Sequence, residues 1–253
     1  MKRAPLDRLE TACDAVVAAA VTEAGEHGWT DAVLDHAIAA AGIDAPLAAR
    51  AFPRGARSLV EEFHRWCDRR MVEDLARHDL PELRVGQRVA LAVRLRIEAM
   101  ADANGSRRAA ARAVAFHALP VNFGSGARSL GRTTDAIWRA VGDQSLDFSW
   151  YTKRASLGAI YAATVLVWLS DENDGSTETW AFLGRRLKDI ATFGKTKARA
   201  QAAVESLATN SFSVARAVIR GAGAVATQGP GAFPMRWTAW RGIRSGWLRS
   251  SDR

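Results

Sequence analysis

Cysteine is nearly absent from this chain: Cys13 and Cys67 are the only two in 253 residues. That excludes a disulfide-stapled scaffold and most cysteine-based metal sites, and it suits free thiols in a reducing compartment. No apolar run is long enough to span a bilayer. The longest, Ala155 to Leu169, has 15 residues and holds Ser156, Tyr161 and Thr164, where a span needs roughly 20. Met1-Lys2-Arg3 is not followed by an apolar stretch with a small-residue cleavage site, which argues against a secretory signal. Asp7, Glu10 and Asp14 make the start too acidic for an organelle transit peptide.

Catalytic signatures are missing as well. Gly124-Ser125-Gly126 lacks the preceding strand of a phosphate-binding loop, and there is no Gly-x-Ser-x-Gly elbow. His27, His36, His78 and His117 have no acid or nucleophile at motif spacing. Glu61 and His64 form one Glu-x-x-His pair, but Glu73, Glu82 and Glu98 supply no second, so a di-iron carboxylate set is incomplete. The expectation is a solvated helix face there, and a protein without enzyme activity, catalytic residues, metal or cofactor.

What the chain does have is 48% hydrophobic residues, nine tryptophans and a net charge of +8. Such apolar content builds a core rather than a disordered tail. The periodicity is helical nearly everywhere. Helices are predicted over 6–27, 31–41, 45–52, 58–79, 85–103, 107–118, 123–141, 150–170 and 177–197. Thr30 and Asp44 read as N-caps, and Ser58 with Glu61 as a capping box. The fold class is therefore all-α. Residues 1–55 form a three-helix head, 56–197 a larger bundle, and 198–253 an amphipathic extension with a Gly-rich linker.

Two short helices after a longer one look like the helix-turn-helix head of TetR-type regulators, and the bundle behind is also TetR-like. DNA binding is tested by charge. Residues 1–55 carry five cations against eight acids, a balance of −3, and the recognition position, 45–52, offers Arg50 alone. A head so charged repels phosphate, so no nucleic-acid partner is expected. A TetR-type regulator with a lipid effector is the alternative reading.

Between Leu119 and Arg186 the sequence is dense in specific residues: Leu119-Pro120 with Asn122, Asp135-Ala136-Ile137-Trp138, Gly142-Asp143-Gln144-Ser145, Asp147-Phe148-Ser149-Trp150-Tyr151-Thr152-Lys153-Arg154 and Trp180-Ala181-Phe182-Leu183-Gly184-Arg185-Arg186. This segment, about 119–190, closely resembles the Coq nine family, the ubiquinone-biosynthesis accessory proteins. The resemblance implies a TetR-like fold without DNA binding. It implies a lipid-binding role in which isoprenoid quinone precursors, or phospholipid, are held for the di-iron demethoxyubiquinone hydroxylase. It points to Asp147, Phe148, Trp150 and Tyr151 as the hydroxylase-docking surface, with Lys153 and Arg154 beside them. A homodimer, cytoplasmic and peripheral on a bacterial inner membrane, completes the expectation.

Read physically, the helix 155–169 is uncharged on every face and so is predicted to be buried all round. Leu157, Ile160, Tyr161, Thr164, Val165 and Trp168, with Trp138, Trp180 and Leu183 from neighbouring helices, suit either plain core packing or the lining of an apolar slot. Trp150 and Tyr151 open a helix after a break, where bulky aromatics either form an interface or fold inward. Two C-terminal segments are membrane candidates. One is 199–220, with Leu207, Val214 and Val218. The other carries Phe233, Trp237, Trp240 and Trp247 on one helical face with Arg241 and Arg244, in a tail whose charge balance is +4. Trp at headgroup level and Arg near anionic lipid favour a membrane foot; an unstructured tail or an RNA-binding Trp/Arg segment shares that composition.

Overall fold

The computed structural model describes residues 5–143 and 148–193. These form nine α-helices: α1 (Pro5–His27), α2 (Asp31–Ala40), α3 (Ala45–Ala51), α4 (Ala56–Leu75), α5 (Val85–Glu98), α6 (Arg108–Ala118), α7 (Phe123–Ala140), α8 (Phe148–Ser170) and α9 (Thr177–Phe193). Short 3-10 turns at Pro120–Asn122 and Asp174–Ser176 precede α7 and α9. No strand occurs among the described residues, so the fold class is all-α. No helix among them is long and apolar enough to cross a membrane. The membrane candidates Leu207, Val214, Val218, Phe233, Trp237, Trp240, Arg241, Arg244 and Trp247 all lie outside the described residues, as does Asp147.

The predicted caps at α2 and α3 are present. Thr30 Oγ1 accepts the Val33 N–H at 3.2 Å and Asp44 Oδ1 that of Leu47 at 2.8 Å. At α4 the expectation fails. Ser58 and Glu61 make no capping box; the Ser58 hydroxyl accepts the Arg54 N–H, and Glu61 Oε2 takes the Arg54 guanidinium at 2.5 Å. The helix starts earlier because Asp31, 25 residues upstream, reaches across and accepts the Ala56 N–H at 2.7 Å. Gly55 makes room for it with φ +55°, and a Cβ there would lie 2.2 Å from Asp31 Oδ1. The ends also shorten. α4 stops at Leu75 and α5 at Glu98; Asp102 then holds a turn through the Asn104 and Ser106 N–H groups.

One hydrophobic cluster runs through the described helices, from Val16 and Val17 on α1 through Phe63 and Met71 on α4 to Trp168 on α8 and Leu183 on α9. Trp29 ties head to body: its indole N–H donates to the Ala109 carbonyl at 3.0 Å, and its ring lies 4.7 Å from that of Phe63. Both cysteines are buried and free. Burial pushes the Cys13 thiol up to about 11 and the Cys67 thiol up to about 12, which makes both unreactive near neutrality.

Candidate lipid and partner surfaces

α8 packs against both α7 and α9. Leu157, Ile160, Tyr161, Thr164, Val165 and Trp168 recur at intervals of three and four, so they fall on one stripe, and all are buried. Leu183 of α9 joins them in the core, while Trp138 on α7 and Trp180 on α9 pack at its edge. The sequence-predicted lining residues are thus brought together as one contiguous apolar surface. Thr164 adds no unmet polarity, because its hydroxyl donates to the Ile160 carbonyl at 2.7 Å. Tyr161 O–H points at Met100 Sδ, 3.7 Å away, and burial pushes the phenol well above its ordinary range.

The prediction that α8 is buried all round needs correction. Ala155 is exposed, and Ala159, Ala162, Ala163, Leu166 and Val167 are only half-buried. α7 and α9 cover one side, and nothing among the described residues fully covers the other. α8 therefore presents an outward strip of small and aliphatic side chains with no charge on it.

The helix is fixed at both ends. Lys153 Nζ reaches Asp143 Oδ1 at 2.7 Å, with its ammonium 5.5 Å from the Trp138 ring centre. Arg154 is buried, donates to Asp135 Oδ1 at 2.8 Å and lies 3.7 Å from Asp143 Oδ2. These two cations join the first turns of α8 to the end of α7. Phe148, Trp150 and Tyr151 belong to the first turn of α8, and their side chains lie outside the described residues. At the far end, the Arg107 guanidinium donates to the carbonyls of Trp168 and Asp171 and to Ser176 Oγ, a cation placed where the α8 dipole is negative. Asp171 then caps α9 by accepting the Thr179 hydroxyl and N–H. Those bonds hold its carboxyl down to about 2.

Sequence reasoning missed a second region, the contact between α4 and α7. Glu61, His64 and Asp68 line one face of α4; Ser125, Ser129, Arg132 and Thr133 line the facing side of α7. Arg96 of α5 is wholly buried and donates to Asp68 Oδ1 at 2.5 Å and to the His64 carbonyl at 3.1 Å. The Thr133 hydroxyl donates to the same Asp68 oxygen at 2.8 Å. The His64 and His117 rings lie 5.1 Å apart. Burial lowers the pKa of both imidazoles, helped at His64 by Arg96, so both are neutral at pH 7. The expected solvated face at Glu61 and His64 is therefore an interior one: Glu61 Oε1, His64 Nε2, His117 Nε2, Arg96 Nη1 and Arg132 Nε are all shut off from solvent. The signal available in sequence was the three-to-four spacing of the polar residues, which a surface helix shares. No group of three His, Cys, Asp or Glu among the described residues is placed to hold a metal.

On α3, Ala45, Pro46, Ala49 and Arg50 are the exposed positions, and Asp31, Asp35 and Asp44 are exposed nearby.

Comparison with known proteins places the apolar region. The family model for COQ9 matches residues 123–194, which takes in α7, α8 and α9. The chain carries a COQ9 domain. It is 30% identical over 202 residues to the mitochondrial ubiquinone biosynthesis protein COQ9 of Homo sapiens, covering 76% of this chain and 61% of that one. It is 31% identical over 195 residues to COQ9-B of Xenopus laevis, covering 71% and 62%. To the Xenopus tropicalis COQ9 it is 45% identical over 76 residues, 30% of this chain and 24% of that one. The chain thus spans about three fifths of the first two of these relatives. The expected cytoplasmic position on a bacterial inner membrane is overturned by these names: the relatives are mitochondrial proteins of eukaryotes. Within the COQ9 domain lie the whole of the α8 stripe and its outward strip. The polar seam straddles the domain edge, with Ser125 to Thr133 inside it and Glu61, His64, Asp68 and Arg96 outside.

Proposed function

We propose that this chain serves ubiquinone biosynthesis without catalysing a step, by binding an isoprenoid quinone precursor or a phospholipid and presenting it to the di-iron demethoxyubiquinone hydroxylase. The observation that carries this reading is the outward strip of α8. Within a COQ9 domain, a helix with no charge over 155–170 leaves Ala159, Ala162, Ala163, Leu166 and Val167 half-exposed. Small residues in that strip leave room for a chain to lie along the helix, and covering apolar surface contributes about 25 cal/mol per Å². The aromatic first turn of α8, at Phe148, Trp150 and Tyr151, then meets the hydroxylase beside the end of the lipid.

Organic extraction and mass spectrometry of the purified protein test the lipid half; recovery of a prenyl or acyl lipid is expected, and its absence would overturn it. Ala162→Glu should abolish recovery while leaving the thermal midpoint nearly unchanged, because that position is half-exposed. Capture of the purified hydroxylase tests the partner half. Trp150→Ala with Tyr151→Ala should remove it with the helical signal intact, and retained capture would take these residues out of the interface. For the alternative, a DNA-binding regulator, an operator shift at low salt is the test, and a head of net charge −3 predicts none.

A further inference from the structure

The turn between α6 and α7 is built inside out. Leu119, Val121 and Phe123 are 52, 76 and 57% exposed, while Asn122, the polar residue among them, is 6% exposed. Hydrogen bonds hold this inversion in place. Asn122 Nδ2 donates to the Phe116 carbonyl at 3.1 Å, and Arg57 Nη2 donates to Asn122 Oδ1 at 2.7 Å and to the Val121 carbonyl at 2.6 Å. The Asn122 N–H closes onto the Leu119 carbonyl at 2.9 Å, and its own carbonyl accepts the Ser125 hydroxyl at 2.8 Å. The backbone is thus fixed from beneath, and Leu119 and Val121 project with Pro120 between them.

The chain on either side of the turn carries charge of one sign. From Ala103 to Thr134 the chain has five arginines and not one Asp or Glu. Of these, Arg128 lies little more than one helical turn beyond Phe123; it is exposed and in no ion pair with a described residue. Arg57, beneath the turn, donates to neutral acceptors, so its charge is not cancelled either.

We infer that this turn is a membrane foot, which inserts Leu119 and Val121 among the acyl chains of an anionic lipid surface while the arginines meet its phosphates. A few exposed side chains are too small a patch for a stable protein interface, which needs roughly 800 Å² per partner. Shallow insertion has no such threshold, since each buried apolar side chain and each juxtamembrane arginine adds to the partition. The inference stands apart from the proposed lipid-presenting role and from the C-terminal segments, because it rests on the α6–α7 turn alone.

Sedimentation of the full chain with vesicles tests it, comparing phosphatidylcholine alone with phosphatidylcholine containing one third phosphatidylglycerol. The wild type is expected to bind the anionic vesicles. Leu119→Asp with Val121→Asp should weaken that binding about tenfold or more, and Arg128→Ala about fivefold on the anionic vesicles only. Should the double variant lose its helical signal, Val121→Ser carries the same test at the most exposed of the three positions. Unchanged partition of the turn variants, or no vesicle binding by the wild type, would overturn the inference. So would a variant that keeps its vesicle binding but loses capture of the hydroxylase, because the turn would then be a protein-docking face. Lipid recovery by extraction is a separate readout, so failure of the foot leaves the lipid-presenting reading distinguishable.

Discussion

α7 faces two neighbours with opposite chemistry. Towards α8 it offers Leu130 and the Thr134 methyl, which a Cβ added at Gly158 would meet at ordinary van der Waals distance, with Ile137 buried one turn on. Towards α4 it offers Ser125, Ser129, Arg132 and Thr133, met by Glu61, His64 and Asp68. Apolar contact is non-directional and roughly proportional to area, so the α8 side accepts small shifts and other apolar occupants at graded cost. Hydrogen-bonded charge is directional, and one lost partner strands the other in a low dielectric. The α4 side thus fixes the register of the bundle, and the α8 side is left adaptable.

The sharpest way to break this comparison is Asp68→Ala. It removes the carboxylate from Arg96, which is wholly buried, and the penalty for an unpaired buried charge is about 3–5 kcal/mol. Urea unfolding followed by circular dichroism should show that loss. Combining it with Arg96→Met should restore most of it, since an apolar replacement leaves no stranded charge. A loss below about 1 kcal/mol would mean that solvent reaches Arg96 and that the seam does not fix the register.

Ile160→Ala probes the other face of the comparison. The side chain is buried in the α8 stripe, and truncation of such a residue costs about 2–5 kcal/mol, the low end where neighbours collapse into the space. An adaptable interface predicts the low end, and it predicts that added prenyl lipid narrows the difference between variant and wild type in thermal midpoint. A full-sized loss, indifferent to lipid, would mark the stripe as rigid core.

The two regions also differ in how far the sequence disclosed them. The α8 stripe and the helix boundaries around it were legible because an apolar period of 3.6 carries its own explanation. The caps at Thr30 and Asp44 were legible because the N–H groups they accept, those of Val33 and Leu47, lie three residues on. The seam was not. Glu61, His64 and Asp68 spaced along a helix look like a solvated face until α5 supplies Arg96 and α7 supplies Thr133, from 28 and 65 residues away. The start of α4 was misplaced for the same reason, its cap coming from Asp31. The inside-out turn shows the limit most clearly: Leu-Pro-Val-Asn-Phe reads as an ordinary connection, and only the hydrogen bonds of Asn122 and Arg57 reveal which side chains face outward.

The smallest expected effect is on pH. Burial, the larger cause at both His64 and His117, lowers their folded-state pKa, while in the unfolded chain each titrates near 6.5. Above that value neither state binds the proton and stability is unaffected. As pH falls below it the unfolded chain takes up protons that the folded seam refuses, so stability is lost, at most about 1.4 kcal/mol per pH unit for each histidine. His36 acts in the opposite sense. Its hydrogen bond to Glu23 raises its pKa, so the stability it contributes is present below 6.5 and disappears as pH rises through the folded value; its full exposure keeps that contribution slight. The net prediction is a thermal midpoint that falls between pH 7 and 5.5, with a shallower fall in His64→Gln and a steeper one in His36→Ala. Identical slopes for wild type and His64→Gln would mean that His64 takes up its proton in the folded protein. The seam would then be a hydrated, forgiving contact like that on the α8 side, and the contrast between the two faces of α7 would fail.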